Sequence, residues 1–101
     1  MILYNITMKV SPSIEDEWIR WQKEEHIPEI LSTGLFTGHK FYRLLDQDDT
    51  EGKTFAVQYF AKNINDYQEY IDKHAPHLRK KALQRWGEKF ISFRTLMETV
   101  P

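Results

Sequence analysis

The hydrophobic period of the chain changes at Ser11-Pro12. Before that point Ile2, Tyr4, Ile6, Met8 and Val10 alternate with Leu3, Asn5, Thr7 and Lys9. A period of two puts these sets on opposite faces of an extended strand. After it, Ile14, Trp18 and Trp21 fall at i, i+4 and i+7, one stripe along a helix. Serine is a preferred N-cap and proline is pre-set for the first helical position. A strand feeding directly into an amphipathic helix calls for helices packed on a sheet, because each element has one apolar face to bury.

The remaining segments extend that pattern. Pro28 ends or kinks the first helix near His26-Ile27, Ile30 and Leu31 add a short turn, and Gly34 breaks it. Leu35–Leu45 reads as a second strand, Asp46–Gly52 (DQDDTEG) as a polar turn, and Thr54–Ala61 as a third strand forming a hairpin with the second. Asn63 is placed to cap a helix in which Ile64, Tyr67, Tyr70 and Ile71 share a face. Pro76 interrupts it, Leu78, Ala82 and Trp86 continue it, and Gly87 stops it. Lys89–Thr99 is the last strand. The order β-α-β-β-α-β predicts an α+β, ferredoxin-like fold as a single domain over residues 1–101: a four-stranded antiparallel sheet with two helices on one face. The other face must then meet a second subunit, a ligand or nucleic acid, and pairing with a copy of itself gives a dimeric α/β barrel.

Strand alternation assigns residues to the two faces. Ile2, Tyr4 and Ile6 of the first strand and Phe55, Val57 and Tyr59 of the third are expected under the helices. The second face then receives Leu3, Asn5, Thr7, Ala56, Gln58 and Phe60, with Arg43 and Arg94 as the polar candidates from the outer strands, whose phase a bulge can shift. Mid-strand Asn5 and Gln58 need hydrogen-bond partners, from water, across a dimer seam, or from a ligand. In the segment Lys23–Glu29 (KEEHIPE), a helix of 100° per residue sets Glu25 near the centre of the tryptophan stripe and His26 at its edge. A carboxylate and an imidazole so placed suit acid/base work, or a fraying helix end leaves Glu25 solvated and His26 as packing. The candidate ligand-binding residues are therefore Asn5, Glu25, His26, Arg43, Gln58 and Arg94, with His26 the catalytic candidate, expected to face Asn5, Gln58 or Arg94 across a cleft.

Other chemistries are disfavoured. The chain has no cysteine, which excludes disulfides and thiol catalysis. His74 and His77 lie three apart but across Pro76, with no third ligand at a recognised spacing, so no metal is expected. The DQDDTEG turn has its glycine one position late for a calcium loop. No glycine-rich nucleotide motif or nucleophile elbow is present, and no cofactor is expected. The basic run Arg79, Lys80, Lys81, Arg85 and Lys89 lies on a helix rather than the sheet, and the net charge is −1, which argues against nucleic acid and an anionic membrane as partners. The N-terminus lacks the pattern of a signal peptide and no stretch is apolar enough to span a bilayer, so a cytoplasmic protein is expected.

Trp18–Phe36 (WIRWQKEEHIPEILSTGLF), Val57–Phe60 (VQYF) and Phe90–Leu96 (FISFRTL) together resemble a family of short bacterial proteins of unassigned function. That family is similar to the dimeric α/β-barrel superfamily, which includes antibiotic-monooxygenase-like, EthD-like and stress-responsive barrel proteins. The resemblance implies a homodimer, and places His26 where those relatives often have a histidine facing the cleft. Three functions follow as expectations: a homodimer binding a small molecule beside the sheet, a cofactor-independent enzyme acting on a small aromatic substrate, or a structural or regulatory dimer without a ligand. An open, partly apolar cavity touching His26 favours the first two.

Overall fold

The computed structural model describes residues 1–101. Four strands, β1 (Ile2–Val10), β2 (Gly38–Arg43), β3 (Lys53–Ala61) and β4 (Phe90–Glu98), form one antiparallel sheet in the order β2-β3-β1-β4. The segment between β1 and β2 holds a 3₁₀ turn (Pro12–Ile14), helix α1 (Glu15–Trp21), a π turn (Gln22–His26) and helix α2 (Ile27–Leu31). Between β3 and β4 lie α3 (Ile64–Lys73) and α4 (Ala75–Trp86), broken at His74 just ahead of Pro76. This is the split βαβ arrangement read from the sequence.

Each boundary has a local cause. The Asn63 side chain accepts a hydrogen bond from the Asp66 amide at 2.9 Å and starts α3. Ser11 does not cap with its side chain, which pairs with Ser13 instead, and the chain enters α1 through the 3₁₀ turn. β2 is shorter than expected, beginning at Gly38 rather than Leu35. Phe36 is buried in the core from the loop before it, tilted against Tyr59 and edge-on to Tyr70. Apolar burial holds Leu35 and Phe36 in place without ladder hydrogen bonds, and sequence composition alone does not separate the two situations.

The core lies between the sheet and the helices. Tyr4, Val10, Trp18, Ile30, Val57 and Tyr59 are its largest fully buried side chains. Trp18 packs on Phe41 and Phe55 from the opposite layer. The register fixes the faces of every strand. Tyr4, Ile6 and Met8 pair with Leu96, Arg94 and Ser92, while Leu3, Asn5, Thr7 and Lys9 pair with Met97, Thr95, Phe93 and Ile91. Residues directly opposite in a ladder share a face. Arg94 and, opposite Phe55, Arg43 therefore lie on the helix side, which corrects their expected place on the second face. The phase of the outer strands could not be set until they were paired with β1 and β3.

Candidate functional site

A cavity of about 410 Å³ opens between the sheet and the helices at the β4 side. Its floor is Ile6 and Met8 of β1, Val57 and Tyr59 of β3, and Phe90, Ser92 and Arg94 of β4. Trp18, Trp21, Gln22 and His26 form one wall, and Arg79, Lys80, Ala82 and Leu83 of α4 form the other. The volume is in the range of small-molecule sites, as is a mainly apolar lining with a few converging polar groups.

The π turn decides which polar groups arrive there. The Ile27 amide donates back five residues to the Gln22 carbonyl, so the turn takes in one residue more than an α-helical turn. Side chains within the turn are rotated back progressively relative to a continuous α-helix, by about 100° once the turn is complete. His26 moves from the edge of the tryptophan stripe onto it, where its imidazole stacks on the Trp21 indole with centroids 4.5 Å apart. Glu25 moves off the stripe: it is exposed and faces an outer depression with Glu17, Arg20 and Arg85. Its expected central position is thereby corrected. Gln22, which the sequence reading passed over, is the polar side chain the fold buries here, at 2% exposure. Its only polar contact is a weak one from Nε2 to the Met8 sulfur at 3.9 Å, and its Oε1 has no partner.

Electrostatics sharpen the picture. Burial lowers the His26 pKa from 6.5 to about 4; the Glu29 carboxylate opposes this and Lys81 adds to it. The imidazole is neutral at neutral pH. Lys81 and Glu29 are bridged at 2.8 Å, tying α4 to α2. At the mouth, Arg79 Nη2 and Arg94 Nε both donate to the Tyr4 phenol oxygen, at 3.1 and 3.0 Å. Tyr4 sits among Phe36, Tyr59, Tyr67 and Tyr70. Burial raises the pKa of each of these three tyrosine neighbours above the ordinary phenol value, so they stay neutral.

Of the residues singled out from sequence, the structure brings His26 and Arg94 together on this cavity. Asn5 and Gln58 face each other across the β1–β3 ladder on the opposite side of the sheet, so the expected approach of His26 to them does not occur. Asn5 is 8% exposed there and its Nδ2 donates to Thr7 Oγ1 at 3.0 Å. Arg43 is exposed at the far edge strand β2 and does not line the cavity. Arg79 and Ser92 are additional lining residues. Arg79 had a signal in the sequence, as part of the basic run, but was read there as a solvated face.

Fold and cavity together define a ferredoxin-like α+β protein with a pocket between its sheet and its helix layer. The chain belongs to the family described as "Domain of unknown function (DUF4286)", whose model matches residues 1–100. Its fold is similar to that of a dimeric ferredoxin-like protein from an uncultured marine organism (TM-score 0.71, 13% identity, covering 99% of this chain and 95% of that one). It is also similar to a putative antibiotic biosynthesis monooxygenase from Deinococcus radiodurans (0.69, 12%, 100% and 94%). A third similar structure is SnoaB, a cofactor-independent oxygenase from Streptomyces nogalater (0.65, 12%, 99% and 93%). At these identities the likeness is one of fold. A search of the curated proteins gave no match. No helix is long and apolar enough to cross a membrane.

Proposed function

We propose that this chain is a homodimeric ligand-binding protein: two copies meet through the open sheet face, and each holds a small, largely apolar molecule in the cavity beside His26. The observation that carries this reading is the cavity itself. Protein interiors are close-packed, and a space of about 410 Å³ walled by Trp18, Trp21, Val57 and Phe90 is far larger than a packing defect. Dimerisation is supported by the open face, where Ile91 and Phe93 are 72% and 62% exposed and Tyr42 and Met97 add further apolar surface. Such patches mark interaction surfaces, and the similar marine protein is described as dimeric.

Protein purified from its own source is expected to release a small molecule on denaturation, detectable by mass spectrometry. His26→Ala should release markedly less, as should His26→Phe, which keeps a ring against Trp21. A wild-type protein that releases nothing, and whose melting temperature is unmoved by a library of aromatic small molecules, overturns the reading.

A cofactor-independent enzyme acting on a small aromatic substrate is the second reading, favoured by the neutral imidazole facing an apolar space. A base with a pKa of about 4 is a weak proton acceptor at neutral pH, which ranks binding first. Turnover of a hydroxy-aromatic compound under air, abolished in His26→Ala, reverses that order.

A further inference from the structure

Every charged residue lining the cavity is positive: Arg79, Lys80 and Arg94, with no aspartate or glutamate among the lining residues. This stands out in a chain whose net charge is −1. Neither arginine has a carboxylate partner, since the three ion pairs of the protein are Lys53–Glu15, Lys73–Glu69 and Lys81–Glu29. The two guanidiniums come from different layers, one from α4 and one from β4, yet both are fastened to the same Tyr4 oxygen. Two like charges held on one oxygen repel each other. Each also keeps further N–H groups, because a guanidinium has five donors and the phenol uses one from each. His26 cannot supply a counter-charge, being neutral or cationic. The arrangement lacks a negative charge at the mouth of an apolar space.

We infer that the cavity takes the anion of a largely apolar molecule, with its carboxylate or other planar oxyanion between Arg79 and Arg94 and its apolar body against Trp18, Trp21 and Val57. The inference rests on the proposal that the cavity is a ligand site. Guanidinium and planar oxyanion match in charge and in the spacing of their donors and acceptors. Tyr4 acts as a positioning residue, holding both arginines toward the mouth.

The test is calorimetric titration of the full-length protein with 2-naphthoate, 2-naphthamide and 2-naphthylmethylammonium, which share one apolar body and differ in charge. The naphthoate is expected to bind about tenfold or more tighter than the amide, with the cation weakest. Arg79→Met and Arg94→Met should each shrink the ratio of naphthoate to naphthamide affinity. Tyr4→Phe, which keeps the ring and removes the shared acceptor, should shrink it less. Equal binding of naphthoate and amide, or a ratio unmoved in the Arg79→Met/Arg94→Met double variant, overturns the anion assignment while the ligand site stands. Failure of all three compounds to bind at millimolar concentration removes the ligand site and the assignment together.

Discussion

Trp21 and His26 are five residues apart in the chain, and their rings lie within 17° of parallel. In an α-helix residues five apart point about 140° away from each other. The π turn brings them into line, so the stack and the turn report on the same local geometry. The neutral, half-buried imidazole follows from that stacking and from the layer above it.

The first prediction concerns pH. The His26 pKa is about 4 in the folded chain and 6.5 when unfolded. The unfolded chain therefore binds this proton first as pH falls. The stabilisation is fully present above pH 6.5 and is lost progressively as pH drops through the window down to about 4. Its upper bound is about 3 kcal/mol. Melting temperature should fall across that window in the wild type and fall less in His26→Phe. An imidazole proton resonance titrating near 6.5 would show that His26 is solvated.

Trp18 is 1% exposed and packs between Phe41 and Phe55. Trp18→Ala should cost on the order of 3–5 kcal/mol in urea unfolding. A loss below about 1 kcal/mol is incompatible with the packing described.

Gln22 is buried with an unpartnered carbonyl oxygen. Removing an unsatisfied amide without leaving a hole is neutral or stabilising, so Gln22→Met should raise stability by up to about 1 kcal/mol. If a ligand partners the amide, the same variant should bind it less tightly. A destabilisation of 2 kcal/mol or more would mean the amide has a structural partner.

Phe93 projects from β4 on the open face. Light scattering of the wild type should give about twice the 12.2 kDa chain mass, and Phe93→Glu should shift it toward the chain mass while leaving the circular dichroism spectrum intact. A wild-type monomer at micromolar concentration removes the dimer.

Gly52 has φ of +131°, and a Cβ there would overlap the Val10 carbonyl oxygen. Gly52→Ala should destabilise by more than about 2 kcal/mol, measured by chemical denaturation; a neutral effect would place the β2–β3 turn elsewhere.

The order of elements was legible because it is written in local signals: alternation in β1 and β3, Asn63 at a cap, Pro76 at a break. The faces of β1 and β3 were legible for the same reason. The faces of β2 and β4 were not, because their apolar residues occur on both sides, as Phe90 and Phe93 show, and only the ladder register settles the phase. The candidate site was half legible. His26 and Arg94 were singled out and do meet at the cavity. Glu25 was misplaced and Gln22 missed for one reason: a π turn has no dependable sequence signature, and a single added residue rotates every later side chain by about 100°. Asn5 and Gln58 were rightly set on the second face, but the cavity is on the first.

The wall carrying Arg79 and the floor carrying Arg94 are consecutive stretches of chain, joined only by Gly87, Glu88 and Lys89. Lys89 is pinned where its carbonyl accepts from the Ser11 amide at 2.9 Å, and Gly87 takes a backbone conformation with φ of +60° and ψ of −131° that other residues rarely adopt. Arg79 lies eight residues from that point, about 12 Å along the helix axis. A lever of this length turns about 5° of rotation at Gly87 into about 1 Å of travel at the guanidinium, enough to separate a hydrogen bond from a bare contact. Gly87 is thus the joint at which the helix carrying Arg79 is set against the strand carrying Arg94.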